Sequence, residues 1–276
     1  MSNSRSRWNM YDVRIYEVEI KNNYQENVMF NSNELERYDR NFCINEIGTE
    51  GQIKLKKAKI LVIGAGGLGS PALMYLASAG VGTIGIVDDD DVSLSNLNRQ
   101  IAHNTKRINL NKAISAKETL SSINPEIKII AYPIHLTENN IEELINQYDF
   151  VLDCVDNFET KFLINDACVK AQKPFSYGGV LGFEGQTLTY NPNQGPCFRC
   201  IFEDIPSPDE VKTAAEVGIL GAIAGVIGSI QALEAIKYII GNGNLLEGRI
   251  FIFDGLNLQT RIAKLPKATP GCICTP

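Results

Sequence analysis

The sequence has no hydrophobic run long enough to cross a membrane. Its longest apolar stretch, residues 218–230, is interrupted by four glycines and is too short to span a bilayer. The first ten residues are polar and basic and no apolar segment follows them, so we expect no secretory leader. These absences predict a cytoplasmic chain without a membrane partner.

Positive charge is also scarce. The chain has 26 Lys and Arg residues against 32 Asp and Glu residues, which gives a net charge of −6. Because nucleic-acid binding depends mainly on attraction to phosphate, this balance argues against a nucleic-acid partner. Histidine is limited to His103 and His135. Neither has a metal-binding pattern near it in the sequence, so we expect both at the surface or behind the residues of a site.

Disulfide bonds are not expected either. Seven cysteines, an odd number, in a chain without a leader favour reduced thiols and metal ligation. Cys197 and Cys200 form a C-x-x-C motif, and Cys272 and Cys274 form a C-x-C motif. Four thiolates from two separated pairs are typical of a closed, structural Zn²⁺ site, with buried free thiols or a redox pair as the alternatives. The other cysteines are expected in the core rather than as nucleophiles: Cys43, Cys154 and Cys168.

What the sequence does contain is a strand–turn–helix–strand unit with a glycine-rich turn. Its four parts are predicted at residues 59–63, 64–69, 70–79 and 83–87. The turn reads G-x-G-x-x-G, so a nucleotide phosphate can sit at the N-terminus of the helix. Asp88 lies 24 residues after Gly64, about where a ribose-binding carboxylate is expected. A tight structural turn is the alternative.

The rest of the chain alternates helices and strands. Helices are predicted at 33–40, 112–122, 137–147, 161–171 and 223–240, and strands at 127–133 and 150–154. Asn33 and Thr137 are expected to cap the first and third of these helices, with Glu36 completing a capping box. Gly241 is expected to end the last helix. Beyond Pro174 the pattern is typical of antiparallel strands, at 176–190 and 248–264.

This order predicts an α/β, Rossmann-like fold in which a mostly parallel sheet continues into antiparallel strands, with a small zinc-binding C-terminal part. We divide the chain into an N-terminal extension at 1–33, a nucleotide-binding part at 34–190, and a part at 191–276. The last part holds a crossover loop, a dimer helix and the four paired cysteines, and is expected to form one compact domain with the part before it.

The N-terminal extension contains one candidate strand. Residues 11–20 alternate apolar and polar side chains with one change of phase, as in a bulged strand. The strand is either an edge strand added to the core or a docking strand for a peptide partner. The sequence leaves both open.

Charged residues follow the ends of the predicted strands. Four consecutive aspartates at 88–91 repel one another, so at least one is expected to have a cationic or metal partner. A solvated acidic loop is the alternative. Arg99 and Lys112 are spaced to return to the glycine turn, where two cations would offset the charge of a triphosphate. Asp153 and Asp156 lie at the sheet edge where ligands bind, and a carboxylate there suits Mg²⁺ bound to the phosphates of ATP.

Taken in order, these motifs resemble the ubiquitin-activating-enzyme-like superfamily. Within it, the chain is most similar to the bacterial adenylyltransferases of the ThiF, MoeB and HesA type, which activate sulfur-carrier proteins for molybdopterin and thiamin synthesis. The resemblance covers residues 34–276. It rests on the glycine turn, Asp88, Lys112 and five short motifs: Arg37-Tyr38-Asp39-Arg40, Ser95-Asn96-Leu97-Asn98-Arg99-Gln100, Asp156-Asn157, Asn165-Asp166-Ala167-Cys168 and Phe183-Glu184-Gly185-Gln186.

The resemblance implies a reaction. In that family the C-terminal carboxylate of a small ubiquitin-like protein attacks the α-phosphate of ATP, and the products are an acyl-adenylate and pyrophosphate. The preferred substrate is accordingly a ubiquitin-like sulfur carrier. A carboxylate is already a nucleophile, so catalysis needs alignment and charge stabilisation rather than a general base.

The resemblance also implies residue roles. Arg99, Lys112 and Asp156 would be catalytic, with Asp156 holding Mg²⁺, and Arg40 would reach into the ATP site of the other subunit of a homodimer. The family's second cysteine pair is normally C-x-x-C, so the C-x-C pair here leaves closure of the Zn²⁺ site in question. The nucleotide would be bound by Gly64, Gly66, Gly67, Gly69, Asp88, Asp90, Asn96, Arg99, Gln100, Lys112, Asp156 and Asn157.

One family feature is missing. Many relatives carry a cysteine before the long glycine-rich helix, where it links covalently to the carrier, and Ala214 stands at that position. We therefore expect adenylation without a thioester step on this chain. Ala214, the Asn-rich extension and the motif Arg40-Asn41-Phe42 keep a relative that adenylates a ribosomal peptide as an alternative. A dinucleotide-binding oxidoreductase and a non-catalytic ATP-binding protein are the remaining alternatives.

Overall fold

The computed structural model describes residues 30–202, 204–205 and 214–275. The candidate strand at 11–20 lies outside these residues. The domain boundaries placed after residues 33 and 190 stay a prediction.

A single mixed sheet forms the centre of the described structure. Its eight strands have the order β3-β2-β1-β4-β5-β6-β7-β8. The first five strands in that order are parallel, and the last three are joined by antiparallel pairing. This confirms the predicted fold class. The strands are β1 Lys59–Ile63, β2 Thr83–Val87, β3 Lys128–Tyr132, β4 Phe150–Asp153, β5 Phe175–Leu181, β6 Glu184–Tyr190, β7 Arg249–Asp254 and β8 Gln259–Lys264.

Helices cover both faces of this sheet. One hydrophobic cluster includes residues of α3, α4, α5 and α9, and a second includes residues of α6 and α7. Burial on both faces explains why β1, β2 and β4 are almost entirely apolar. The helices are α1 Ser32–Arg37, α2 Asp39–Phe42, α3 Gly48–Lys57, α4 Gly69–Ala79, α5 Lys112–Ile123, α6 Ile141–Asn146, α7 Phe158–Lys170, α8 Ala214–Val217 and α9 Gly221–Ile240.

Helix α9 is the long glycine-containing helix. It ends, as predicted, at Gly241, which adopts a left-handed conformation with φ 72°. Among the described residues it is the one helix with the length and hydropathy of a membrane span, yet half of that stretch is buried inside the protein. Within the described structure it packs against α4 and the strands β4 to β6. The position is that of a core helix.

Two predicted helix caps are wrong. Helix α1 is capped by Asn31, whose capping box is completed by Glu34, instead of by Asn33 and Glu36. Glu34 also pairs with Lys56 at 2.7 Å, and this tertiary contact selects the earlier register.

Thr137 does not cap α6 either. Asn140 occupies the cap position, and its Oδ1 accepts a hydrogen bond from the backbone N–H of Thr137 at 2.9 Å. The residues from Thr137 to the helix therefore form a turn, and the helix is shorter than predicted.

Parallel pairing places three strand ends side by side. Ile63 of β1 pairs with Val87 of β2 on one side and with Asp153 of β4 on the other. The residues that follow these strands therefore emerge at one edge of the sheet, which is the edge where open α/β sheets bind ligands. Both the glycine turn and the run of aspartates begin there.

Candidate functional site

The glycine turn joins β1 to α4 in a space too narrow for side chains at two positions. Gly64 has a φ of 95°, and a Cβ atom there would lie 2.7 Å from the carbonyl oxygen of Cys154. A Cβ atom on Gly69 would lie 1.9 Å from the carbonyl oxygen of Gly64. Glycine at both positions lets the chain turn beside β4 and enter the helix at once.

Asp88 holds the glycine turn from the neighbouring strand. Its Oδ2 accepts a hydrogen bond from the N–H of Ala65 at 2.8 Å, and its Oδ1 accepts one from the N–H of Asp90 at 3.0 Å. Burial raises the pKa of the Asp88 carboxyl above its usual value. The structure thus places this carboxylate against the turn, as the predicted ribose-binding role requires.

Lys112 lies at the same edge, at the first position of α5. Its ammonium group lies 2.8 Å from Oδ2 of Asp90. The lysine side chain is 9% exposed, whereas that of Asp90 is 71% exposed. Asn111, which caps α5, donates to the carbonyl oxygens of Asp88 and Asp90 at 3.0 and 3.1 Å. These bonds tie the acidic run to the start of the helix.

The expectation that the acidic run has a cationic partner is confirmed. Asp90 pairs with Lys112, and Asp89 lies 2.8 Å from Nδ1 of His135. His135 is exposed, as predicted. The pairing reduces repulsion among the aspartates and leaves a buried ammonium group beside the glycine turn.

Arg99 and Gln100 pack over the turn. A Cβ atom on Gly67 would lie 3.7 Å from Cγ of Arg99, and one on Gly66 would lie 3.6 Å from Nε2 of Gln100. The Arg99 guanidinium donates to the carbonyl of Ser95 and to Oδ1 of Asn98, at 3.0 and 2.9 Å. Oε1 of Gln100 is buried and has no hydrogen-bond partner within the described residues.

Asn96 has a local role in this structure. Its Oδ1 accepts a hydrogen bond from the N–H of Ser93 at 3.1 Å, and its backbone carbonyl accepts one from the N–H of Gln100 at 2.9 Å. These bonds shape the short 3-10 turn that carries Arg99 towards the glycine turn. Its direct contact with a nucleotide stays a prediction.

The end of β4 carries two aspartates with different surroundings. Asp153 is buried, and its Oδ1 lies 3.2 Å from the ammonium group of Lys161. Asp156 is exposed, and its side chain makes no hydrogen bond in the part of the chain that is described. Of the two, only Asp156 has a carboxylate open to a metal ion. The side chain of Asn157 accepts from the N–H of Thr160 at 2.8 Å and thereby caps α7.

The four paired cysteines come together. The sulfur atoms of Cys197 and Cys272 are 3.6 Å apart, those of Cys200 and Cys274 are 3.5 Å apart, and all four lie within 4.8 Å of one another. Sulfur atoms bound tetrahedrally at about 2.3 Å from Zn²⁺ would be about 3.8 Å apart. The C-x-C pair therefore reaches the C-x-x-C pair, and the donor set fits a closed four-thiolate site.

Helix α7 supports this cluster from behind. Arg199, between the two cysteines of the C-x-x-C motif, forms a forked ion pair with Asp166 at 2.6 and 2.7 Å. Its guanidinium also lies 4.7 Å from the ring centre of Phe162. Oδ1 of Asn165 accepts from the N–H of Phe198 at 2.9 Å. Three side chains of one helix thus fix the loop that carries two of the thiols.

The other cysteines differ among themselves. Cys154 and Cys168 are buried, and burial raises the pKa of both thiols, which confirms the expectation that they are unreactive core residues. Cys43 is exposed, so its placement in the core was wrong. It follows the short helix α2, which has no buried residue.

Arg40 does not join the glycine turn of its own chain. Its side chain is 92% exposed, and its ion pair is with the neighbouring Asp39 at 3.6 Å. Next to it, Asn41 donates to the carbonyl of Ala79, at the C-terminal end of α4. The glycine turn is at the other end of this eleven-residue helix, about 16 Å away. The role of Arg40 in the nucleotide site of another subunit stays a prediction.

His103 lies behind the glycine turn, the second of the two places expected for it. It is 7% exposed, so it does not lie at the surface. Its ring bonds to the carbonyl of Ala65 in the glycine turn and to the hydroxyl of Ser115 in α5. The only indication of its burial in the sequence is its position, three residues after Gln100.

The described site can be compared with known proteins. The model of the ThiF family matches residues 38–274. The chain belongs to the ThiF family. This confirms the resemblance inferred from the motifs.

Curated relatives of this ThiF family member include adenylyltransferase and sulfurtransferase MOCS3 of Aedes aegypti. It is 45% identical over 259 residues, which are 93% of this chain and 59% of the relative. The protein of the same name from Dictyostelium discoideum is 45% identical over 241 residues, 87% of this chain and 57% of the relative. The chain thus spans less than two thirds of the length of these relatives.

Solved structures with the same fold include E. coli MccB. Its crystal structure with ATP has a TM-score of 0.75 at 23% identity and covers 88% of this chain and 75% of that chain. Its structure with selenomethionine-containing MccA also has a TM-score of 0.75, at 22% identity and with the same coverage. At these identities the comparison establishes the shared fold.

Proposed function

We propose that this ThiF family member is an adenylyltransferase that uses ATP to activate a C-terminal carboxylate as an acyl-adenylate, with release of pyrophosphate. The observation that carries the proposal is the cluster around the glycine turn, where Asp88, Lys112 and Arg99 converge. The names of the curated relatives support it. We also propose that the protein acts in the cytoplasm, which agrees with the core position of α9.

The residues present fit ATP. Gly66 and Gly67 leave the turn without side chains, and their N–H groups donate no hydrogen bond within the described residues, so they are available to phosphate oxygens. At the same place, the buried Oε1 of Gln100 is an acceptor that has no partner among the described residues. A ligand that offers both anionic oxygens and hydrogen-bond donors would satisfy the two backbone N–H groups and the Gln100 oxygen.

The chain's own residues would supply alignment and charge. Lys112 is held by an exposed carboxylate, so a phosphate can replace Asp90 as its partner without exposing a buried ammonium group. Arg99 offers a second cation, and a fixed cation aimed at developing charge is effective in a site that excludes water. Asp88 would accept from the ribose hydroxyls. The attacking carboxylate needs no general base.

Two metal ions fit the described residues. Asp156 would hold Mg²⁺, which neutralises phosphate charge when it is bound with ATP. The four cysteines would hold Zn²⁺ in a closed site, which is structural because no coordination position remains for substrate.

The preferred substrate is a ubiquitin-like sulfur carrier that ends in Gly-Gly. The two MOCS3 relatives, described as adenylyltransferases and sulfurtransferases, support this choice. A ribosomal peptide is the second candidate, favoured by Ala214 and by the Asn-rich extension, and it has a counterpart in the fold neighbour MccB with MccA. In either case, Ala214 argues against a thioester on this chain at the position where many relatives carry a cysteine.

ATP–pyrophosphate exchange is the decisive test. We expect labelled pyrophosphate to enter ATP only when the protein is incubated with Mg²⁺ and a carrier that ends in Gly-Gly. A carrier truncated by its last two glycines is the matched control, because it keeps the folded surface and loses the reacting tail.

The outcomes separate the two substrates. Exchange with the carrier and none with its truncated form supports sulfur-carrier activation. Exchange only with short peptides would move the protein to peptide modification. No exchange with any donor, in protein that binds ATP, would contradict the enzyme assignment.

We propose that the chain acts as a homodimer. Helix α9 exposes Val226 and Leu233, which are seven residues apart and share one face, and the Cβ position of Gly225 is open. Arg40 is exposed far from its own glycine turn, so a role for it in nucleotide binding would need a second subunit. An apolar helix face and an exposed arginine are both explained by pairing of two chains.

A mixing experiment tests the shared site. Arg40→Ala and Asp156→Ala chains should each be inactive on their own. The first lacks the arginine that would enter the nucleotide site of the partner subunit, and the second lacks the metal-binding carboxylate. After exchange of subunits, half of the dimers are mixed, and each mixed dimer contains one intact site out of two. About a quarter of all sites are then intact, so about a quarter of the wild-type rate should return. Mixed dimers that form, as shown by affinity-tag capture, and remain inactive would remove Arg40 from the site.

A further inference from the structure

His103 contacts the glycine turn through the backbone carbonyl of Ala65. Its Nε2 lies 2.9 Å from the carbonyl oxygen of Ala65, and its Nδ1 lies 2.8 Å from the hydroxyl of Ser115. A carbonyl oxygen only accepts hydrogen bonds, so Nε2 must carry the proton. Nδ1 of the neutral ring is then the acceptor for the hydroxyl of Ser115. The surroundings of His103 therefore select one tautomer.

Ala65 is consequently held at both ends. Its N–H donates to Asp88 at 2.8 Å, and its carbonyl accepts from His103. The peptide group between Ala65 and Gly66 is planar and trans, so fixing the direction of its carbonyl also fixes the direction of the Gly66 N–H, which points the opposite way. That N–H is one of the donors available to a phosphate.

Electrostatics keeps the ring neutral. Burial lowers the pKa of His103, the hydrogen bond to Ala65 raises it by less, and the positive charges of Lys112 and Arg107 lower it further. Lys112 is paired with Asp90 and Arg107 with Glu118. The carboxylate of Asp88, on the far side of Ala65, is the other charged group near this end of the turn. A neutral donor orients the turn without adding charge next to the phosphates.

We propose that His103 is a positioning residue that presents the backbone N–H groups of the glycine turn to the phosphates of the nucleotide. The inference rests on the proposed function, because it assumes that ATP binds at this turn. His103 acts through Ala65 and touches neither ATP nor the carboxylate substrate. Ser115 supports it by fixing the tautomer.

Nitrogen-15 NMR tests the protonation state directly, since the chain has only two histidines. In a His135→Gln protein the remaining imidazole signals belong to His103 alone. We expect a neutral ring protonated at Nε2, with no titration until the pH is well below the ordinary histidine value of about 6.5. A ring protonated at Nδ1, or one that titrates at or above that value, would overturn the proposal.

Two substitutions separate positioning from general stability. His103→Gln keeps a donor near the position of Nε2, whereas His103→Leu removes it. We expect His103→Leu to weaken ATP binding about tenfold, with the KM for the carboxylate substrate unchanged, and His103→Gln to recover most of the affinity. Ser115→Ala keeps the imidazole ring but no longer selects its tautomer. Its affinity for ATP should lie between those of wild type and His103→Leu.

ATP affinity is measured by calorimetry, and the folded state of each variant by its melting temperature. Equal ATP affinity in wild type and His103→Leu would overturn the proposal, as would equal losses in the Gln and Leu variants. Failure of the proposed enzyme function would look different. Wild-type protein would then bind ATP but catalyse no pyrophosphate exchange, and the ATP affinities of the variants could still be compared. If His103→Leu does not fold, the ATP affinities of His103→Gln and Ser115→Ala can still be compared with that of wild type.

Discussion

Replacing Lys112 with methionine is expected to lower the rate of acyl-adenylate formation by about 10²–10³. Methionine keeps an apolar side chain of similar length, so the packing around this buried position changes little. What is lost is the ammonium group beside the glycine turn, where the negative charge of the reacting phosphates would develop. The effect is large because the group is fixed in advance and is shielded from water.

Single-turnover release of pyrophosphate measures this effect at saturating carrier and ATP. Lys117→Met is the matched control, since Lys117 lies on the same helix and is exposed. We expect wild-type rates in the control and similar melting temperatures in both variants. A decrease of less than threefold in Lys112→Met would contradict the role of Lys112 in charge stabilisation.

Loss of one thiol from the four-cysteine cluster is expected to have the largest effect on stability. Cys200→Ser should lower the free energy of unfolding by about 4 kcal/mol or more, because a metal that binds only the folded chain contributes its binding free energy to folding. The segments around residues 197–202 and 265–275 would then lose the link that joins them.

Urea unfolding and metal analysis test this together. Fresh wild-type protein should contain about one zinc ion per chain, and Cys200→Ser much less. Cys43→Ser is the control, since Cys43 is an exposed thiol outside the cluster, and it should match wild type in both measurements. Wild-type protein that contains little zinc, or a chelator that leaves the unfolding midpoint unchanged, would contradict the metal assignment.

The glycine-turn unit was predictable because local sequence determines most of it. An apolar strand, a G-x-G-x-x-G turn and a helix have few alternative arrangements, and β1, α4 and β2 lie where they were expected, with shifts of at most one residue. The structure also places Arg99 against Gly67, whereas Lys112 pairs with Asp90, two residues after the carboxylate that holds the turn. Strand ends in a parallel sheet share an edge, so spacing along the chain carries information on spatial proximity.

The start of α1 could not be predicted from local pattern. Asn31 with Glu34, and Asn33 with Glu36, both have the spacing of a capping box, so the two starts are equivalent in the sequence. The choice depends on distant partners: Asn31 bonds to Glu126 at 2.8 Å, and Glu34 pairs with Lys56. Tertiary contacts of this kind have no local signature.

Burial was the second quantity that the sequence did not reveal. Cys43 was expected in the core and is exposed, and for His103 the sequence did not distinguish the surface from a place behind the site, because single residues outside a periodic element give no indication of which way they face. The four-cysteine cluster was easier to predict. Four cysteines in two close pairs are informative through their number and spacing, although only the structure brings the C-x-C pair within reach of the other.

The pairing of Lys112 with Asp90 has a consequence for selectivity. The resting site contains its own counter-ion, a carboxylate that is mostly in water while its partner is buried. An incoming anion must compete with a tethered group, so a small ion that contacts the ammonium alone gains little by the exchange. A nucleotide bound as proposed would also contact the turn, Arg99 and Asp88, and these additional contacts would decide the competition. The aspartate would thus act as a built-in filter that favours the complete nucleotide over free phosphate.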